Sequence, residues 1–260
     1  MIKFFRHIRK ALLMENKTSK YVKYAIGEIF LVVIGILIAL QINNCNESIK
    51  ARNYEFKILH EIRKDLILDT IYFNAIKSRP KRAEWAVDRL RAMKMENAIV
   101  NDSIPYLVWV MGIGYKFVYH DGAYESLKSV GLDKISNDSL RNSLSNMYGF
   151  YFPRTKNMIA PREMRINEFM DKTIEMLFEY DVYNPIPKGP PLPKPKMSLD
   201  SLFENDRFKL SFYNVKSTSI DVLHRIESIT KNVTNLLQLI DKELQIEDPL
   251  KNIPTKDWSQ

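Results

Sequence analysis

The sequence predicts an all-α protein in which an N-terminal transmembrane helix is followed by a helical bundle of about five to six helices. The first observation is an unbroken apolar run over residues 29–40, which lies inside the nineteen-residue stretch 24–42. The second is a spacing of three to four residues between apolar positions, which recurs through the chain and is typical of helices. The third is the lack of alternating apolar and polar runs, the pattern that half-buried strands show.

Residues 24–42 have the length of a membrane helix. At about 1.5 Å per residue they extend roughly 28 Å, close to the ~30 Å hydrocarbon core of a bilayer. A cleaved signal peptide is the alternative, but it has a shorter apolar core and a small-residue cleavage site, and no such site follows residue 42. A lipoprotein signal would place small residues before its cysteine, whereas Asn43 and Asn44 precede Cys45. We therefore expect the segment to be retained as an anchor.

The charge around this segment predicts its orientation. Residues 1–23 hold seven lysines and arginines against a single acidic residue, Glu15, and account for most of the net charge of +8. Basic residues beside a span favour the cytoplasmic side. We therefore expect a single-pass protein of the inner (cytoplasmic) membrane, with a cytoplasmic N-terminus and a periplasmic C-terminal domain. Because the excess basic charge indicates contact with the lipid bilayer, no nucleic-acid partner is expected.

These observations divide the chain into four predicted parts. Residues 1–23 form a cytoplasmic basic amphipathic segment on anionic headgroups, and the alternative is a basic flank without fixed structure. Residues 24–42 form the transmembrane helix. Residues 43–245 form an extracytoplasmic helical domain, which contains a proline-rich connector over 184–196. Residues 246–260 form a flexible tail.

The predicted span contains one residue that is unfavourable in lipid and one stripe of small residues. Glu28 lies near the cytoplasmic end, where its carboxylate either reaches the headgroups or packs against a partner helix. On a helical wheel Glu28 shares a face with Gly35 and Ala39, and small residues four apart let two membrane helices approach closely. We expect a homodimer through this face. Oxidation of Cys45, just outside the span, would then trap the dimer as an intermolecular disulfide.

Two blocks of the sequence carry a family resemblance. The first block is GEIFLVVIGILIALQINNCNE, residues 27–47, and the second is YESLKSVGLDKISNDSLRNSL, residues 124–144. In these blocks the chain resembles a family of uncharacterised single-pass membrane proteins of gram-negative bacteria. The family usually has a tryptophan where this chain has Cys45, so an aromatic anchor is missing at that position. The resemblance implies a membrane location and a helical architecture, and it supplies no catalytic residue.

The anchor helix is expected to continue well beyond the membrane. Its predicted end is at Arg79 and Pro80, because the residue before a proline is pushed out of the helical region. Asp69 interrupts its apolar stripe. The stripe consists of Leu59, Ile62, Leu66, Phe73 and Ile76.

Two helical segments are predicted next, over residues 81–95 and 104–119. The second is the only other strongly apolar stretch. Its apolar run is about 12 residues long, to Lys116, and that length is typical of a buried core helix or an interfacial segment. A second membrane crossing is the alternative. Asp102 and Ser103 are predicted to cap this helix.

Three further helices are predicted between residues 122 and 180. The first covers 122–130 and stops at Gly131, where a left-handed backbone suits glycine. The second starts at a Ser136 cap and runs to about residue 148. The third follows residue 153 and runs to about residue 180, with Pro161 expected to break its first turns.

The last helix has the most regular pattern of the domain. Apolar residues recur in alternating steps of four and three, which is typical of a coiled-coil seam or of one long member of a bundle. The seam positions are Val215, Ser219, Val222, Ile226, Ile229, Val233, Leu236, Ile240 and Glu243.

Catalytic and metal-binding patterns are sparse in the sequence. With one cysteine and four histidines at no ligand spacing, neither a metal site nor a cofactor is predicted. The densest polar cluster is His120, Asp121, Tyr124 and Glu125, which is interpreted as a helix start with a capping acid or, alternatively, as a site.

Triplets of Asp, Ser or Thr and an aliphatic residue resemble O-glycan acceptor sites, although Asp and Ser are also ordinary helix caps. The triplets begin at Asp69, Asp102, Asp138 and Asp200.

Two classes of function remain open. In the first, a membrane-anchored helical module binds an envelope protein or a ligand, as a sensory or scaffold element. In the second, the helical domain is an envelope enzyme, which would need a polar pocket with acids of perturbed pKa. The sequence favours the first class, because no spacing of residues reveals such a pocket.

Overall fold

The structure is a computed structural model, and it describes residues 18–96, 103–179 and 192–245. The chain divides into two compact units, Met1–Glu55 and Phe56–Gln260, and the second is called the helical domain below. The described residues are almost all helical, and their only strands form one short pair, so the all-α prediction is confirmed. The basic segment up to residue 17, the Asp102 cap, most of the proline-rich connector and the tail from residue 246 lie outside the described residues.

Helix α1, Thr18–Ile76, includes the predicted span and continues past it, as expected. In the first unit its apolar side chains are exposed: Ile29, Phe30 and Leu31 are each about two-thirds exposed. The helix is long and apolar enough to cross a membrane. Exposed apolar surfaces of this size are typical of sites that contact a membrane or another protein.

Within the helical domain, the part of α1 from Phe56 onward buries all five residues of the predicted stripe. The helix ends at Ile76, three residues before the expected end. Helix α2, Ser78–Met95, then begins ahead of the proline instead of after it. Pro80 fits there because the first turn of a helix has no intrahelical acceptor for its N–H groups.

Helix α3, Ile104–Met111, is shorter than predicted. It ends at Gly112, and Ser103 makes no side-chain capping bond. Residues 113–121, called the extended segment below, have no regular secondary structure, so the expected helix over the second half of 104–119 is wrong. Tyr115 and Phe117 are buried there while Lys116 and Val118 are exposed. This alternation is the period-two burial of an extended chain, which excludes a helix.

The next elements follow the predicted order with small shifts. Helix α4, Gly122–Val130, ends at Gly131, whose φ of 120° suits glycine. A short 3₁₀ turn, Leu132–Lys134, follows. Helix α5, Asp138–Asn146, is capped by Asn137, whose side-chain oxygen accepts a hydrogen bond from the Leu140 N–H at 3.2 Å, so Asn137 replaces the predicted Ser136 as the cap.

Helix α6, Phe152–Leu177, follows α5 through a π-helical turn, Met147–Tyr151. Pro161 lies inside α6, so the expected break at this proline does not occur. Two short strands come next: β1, Phe178–Glu179, pairs antiparallel with β2, Lys194–Pro195. The described end of the predicted connector is therefore tied back to the end of α6.

Helix α7, Leu199–Glu204, leads into the long helix α8, Asp206–Leu244. The α8 seam is buried at every predicted position from Val215 to Ile240, and Glu243 is partly exposed. The helix packs against α2 and α6 within the same domain. Its regular spacing thus serves an intramolecular bundle.

Candidate functional site

The predicted polar cluster is centred on a contact between His120 and Asp69. The His120 ring nitrogen Nδ1 lies 2.7 Å from Asp69 Oδ1. The His120 backbone N–H also donates to both carboxylate oxygens, at 3.1 and 3.2 Å. Asp69 is 1 % exposed, whereas the His120 side chain is 55 % exposed. A buried carboxylate on α1 therefore holds an exposed imidazole at the end of the extended segment.

Burial and charge affect the two partners in different ways. Burial is the largest influence on Asp69 and raises the pKa of its carboxyl, although the hydrogen bonds from His120 oppose that shift. The hydrogen bond to Asp69 raises the pKa of His120 above its usual range, and the nearby charges of Asp65 and Asp121 add to the effect. Both shifts mean that the folded state binds protons more strongly than the unfolded chain.

The other predicted cluster residues serve separate contacts. Tyr124 is buried and stacks on Tyr148 with ring centroids 4.3 Å apart. Glu125 forms an exposed ion pair with Lys128 at 3.1 Å. Asp121 precedes α4 and makes no side-chain capping bond. The four residues thus lie close in sequence without converging on one point.

Three side chains attach the extended segment 113–121 to the neighbouring helices. Arg79 donates to the Gly114 carbonyl at 3.1 Å, and the Tyr72 hydroxyl donates to the Lys116 carbonyl. The third side chain is Asp69, whose carboxylate contacts the ring of His120. An Asp–His pair can also act as a general base, but in the described part of the chain no serine, threonine or cysteine side chain makes a hydrogen bond to His120. The contacts therefore support an anchoring role for the pair.

The His120 contact makes the domain's stability pH-dependent. Because the pKa of His120 is raised, its contribution is complete below about pH 6.5 and is lost as the pH rises through the folded-state pKa. We expect unfolding in urea, followed by tryptophan fluorescence, to show lower stability at pH 8 than at pH 6. The loss should be below about 1 kcal/mol, because solvent screens the exposed imidazole.

His120→Gln should remove this difference between pH 6 and pH 8. The matched control is His60→Gln, which replaces an exposed histidine on the same helix as Asp69. An unchanged pH dependence in the His120 variant, or an equal loss in the control, would assign the effect to other groups.

A second polar feature is a groove of about 570 Å³ between α6 and α8. It was not predicted from the sequence. Four cationic side chains and one carboxylate line it, together with neutral side chains. The lining consists of Arg162, Arg165, Ile166, Glu168, Phe169, Lys172, Arg207, Asn214 and Thr218.

Two of the four cations are held in place by the protein. Arg162 Nε lies 2.6 Å from a carboxylate oxygen of Asp221. Arg207 donates to the Thr173 hydroxyl at 3.1 Å, and its guanidinium lies 4.7 Å from the centre of the Phe169 ring. Thr173 of α6 contacts Arg207 at the start of α8, whereas Arg162, earlier in α6, contacts Asp221 further along α8. The two helices are therefore antiparallel along the groove.

The remaining cations, Arg165 and Lys172, are exposed and make no ion pair with any described residue. The acids whose pKa is raised by burial, Asp69 and Glu163, are not among the lining residues. The groove is therefore a basic surface without the perturbed acid expected of an acid-base catalyst. Its sequence signal is the 3-4-3 spacing of residues 162, 165, 169 and 172, which places them on one helix face.

The predicted membrane-packing residues lie in the first unit. A Cβ added at Gly35 would meet nothing within 4 Å, so that position is open to an outside neighbour. Ala39 is exposed, as is the thiol of Cys45. Glu28 is partly exposed.

Over the described ranges, no group of three or more His, Cys, Asp or Glu side chains could hold a metal ion.

Together the fold and these surfaces define an all-α protein that has one membrane-length apolar helix and a separate helical domain. The family of unknown function DUF6090 matches residues 28–174, more than half of the chain. The chain belongs to that family. The matched region contains Arg162, Arg165 and Lys172, whereas Arg207 lies beyond it. No curated protein and no solved structure matches the chain.

Proposed function

We propose that the protein is a membrane-anchored binding module whose helical domain engages an envelope protein or ligand. The observation that carries this proposal concerns the apolar part of α1. Its most apolar stretch is long enough to cross a membrane, and the rest of the protein buries none of it. Burial of each apolar side chain in lipid is favourable by about 1.5–3 kcal/mol, so an anchor of this length is stable in a bilayer.

The basic residues of segment 1–23 support a cytoplasmic N-terminus and a periplasmic helical domain in the inner membrane. Self-association through Gly35 and Ala39 is a further part of the proposal, because the open position at Gly35 permits a close neighbour. An envelope enzyme is less well supported, because the two acids whose pKa is raised by burial, Asp69 and Glu163, do not line the groove.

A reporter fused after Gln260 tests the topology. We expect alkaline phosphatase, which is active only after export, to be active there, and a cytoplasmic reporter at the same position to be inactive. The reason is that the basic residues lie overwhelmingly before the span.

Replacement of Lys17, Lys20 and Lys23 by glutamine should weaken the orientation bias without preventing insertion. The matched control replaces Lys50, Arg52 and Lys57, on the other side of the span, by glutamine, and it should strengthen the bias or leave it unchanged. A C-terminal reporter active only in the cytoplasm would reverse the proposed topology.

A further inference from the structure

We propose that the groove between α6 and α8 is a binding site for a ligand that carries phosphate groups. This inference names the ligand class for the binding function proposed above. It rests on three observations about the groove: its unpaired positive charge, its shape and its pre-positioned arginine.

The first observation concerns charge. Arg165, Lys172 and Arg207 line the groove, and none of them contacts a carboxylate of the described residues. Glu168 is the only acid in the lining, so the cations outnumber it. Neighbouring cations repel each other, and an anion placed among them removes that repulsion.

The second observation concerns shape. The cations on α6 run from residue 162 to residue 172, which is about 15 Å along a helix. The opposite wall, on α8, provides the amide of Asn214 and the hydroxyl of Thr218. The volume of about 570 Å³ is within the range of small-molecule sites. The groove can therefore hold a ligand with more than one anionic group.

The third observation concerns Arg207. Two of its N–H groups are used by the Thr173 hydroxyl and the Phe169 carbonyl, at 3.1 and 3.4 Å. The ring of Phe169 holds the guanidinium plane, so little side-chain entropy is lost when a ligand binds. Guanidinium has five N–H donors, and the unused ones can bind an oxyanion.

Phosphate matches this arrangement better than a single carboxylate does. A phosphoryl group carries roughly −1.5 to −2 charges and three acceptor oxygens at neutral pH. Three cations without acidic partners can therefore be satisfied by one or two phosphates. The phosphate can belong to a soluble compound or to a lipid headgroup.

Calorimetric titration of the full chain in neutral detergent micelles tests the site, with tripolyphosphate as the probe. We expect saturable binding at one site per chain. The double variant Arg165→Gln, Lys172→Gln should weaken binding by about tenfold or more, because each charge-assisted hydrogen bond contributes substantially. Both side chains are exposed, so the urea midpoint of this variant should equal that of the wild type.

The matched control is Lys156→Gln with Lys231→Gln, which removes the same charge from α6 and α8 at exposed positions outside the groove. It should change the affinity by less than about twofold, since distant exposed charges are screened. Equal weakening in both double variants, or no binding of tripolyphosphate to the wild type, would overturn the proposal. So would citrate binding as tightly as tripolyphosphate.

Dihexanoyl phosphatidylglycerol, used below its micelle concentration, distinguishes the two sources of phosphate. Competition with tripolyphosphate would assign the groove to a lipid headgroup, and tripolyphosphate binding without competition would assign it to a soluble phosphate compound. The titration does not depend on the direction of insertion. Failure of this inference therefore leaves the reporter result intact, and failure of the predicted topology leaves the titration intact.

Discussion

Phe73→Ala is expected to lower the free energy of unfolding of the helical domain by about 3–5 kcal/mol. Phe73 is fully buried on α1, and its ring stacks on Phe117 with centroids 5.0 Å apart. Its edge also contacts Phe152, at 6.3 Å between centroids. Loss of the ring would leave a cavity where α1, the extended segment and α6 meet, and would also remove two aromatic contacts.

Urea unfolding of the full chain in neutral detergent micelles, followed by tryptophan fluorescence, measures this loss. Phe150→Ala is the matched control, because it removes the same ring from a position that is 49 % exposed. We expect the control to cost less than about 1 kcal/mol. If the two variants have the same urea midpoint, the contacts of Phe73 do not form a core.

A helix can be predicted where apolar residues recur at helical spacing along one continuous segment of the chain. The stripe on α1 and the seam on α8 are examples, since the residues predicted from spacing alone are buried at every apolar position. Burial of a helix face depends on which residues share it, and spacing determines that. The boundaries at Ile76 and Asn137 were less predictable, because several neighbouring residues can end or cap a helix.

The second half of the 104–119 stretch departs from the predicted helix, because its overall apolarity conceals a period of two residues. Tyr115 and Phe117 point inward and alternate with Lys116 and Val118, which is an extended pattern of only a few residues. Hydrogen bonds donated by Tyr72 and Arg79, and one that Asp69 accepts from the His120 backbone N–H, replace the missing regular structure. These partners lie far away in sequence, so local propensity does not reveal them.

The candidate sites were predictable only in part, for the same reason. The sequence singles out His120, but in it Asp69 only interrupts an apolar stripe, since the two partners are 51 residues apart. The basic groove needs cations from both α6 and α8, and only the folded bundle brings Arg207 beside Phe169. A periodic basic face on one helix does not by itself indicate a ligand site, because most such faces are solvated.

Asp241→Ala is the second change for which we expect a large effect. Asp241 lies in the last turns of α8 and accepts a hydrogen bond from Arg63 Nε of α1 at 2.5 Å. The two side chains are only 8 % and 16 % exposed.

Removal of the carboxylate leaves the Arg63 guanidinium nearly buried and without its charged partner. We expect this to lower the free energy of unfolding by about 3 kcal/mol. The same urea titration measures the cost. Lys128→Met provides the control, because it breaks an ion pair with Glu125 in which both side chains are more than half exposed. It should lower the free energy of unfolding by less than about 1 kcal/mol.

The double variant Arg63→Met, Asp241→Leu separates the value of the ion pair from the penalty of leaving one charge alone. Apolar side chains of similar size can replace a buried pair with little loss, so we expect the double variant to be more stable than Asp241→Ala. If Asp241→Ala unfolds within about 1 kcal/mol of the wild type, the pair behaves as a surface contact and does not fasten α8 to α1. If the double variant is as unstable as Asp241→Ala, the packing around the pair, and not an uncompensated charge, accounts for the loss.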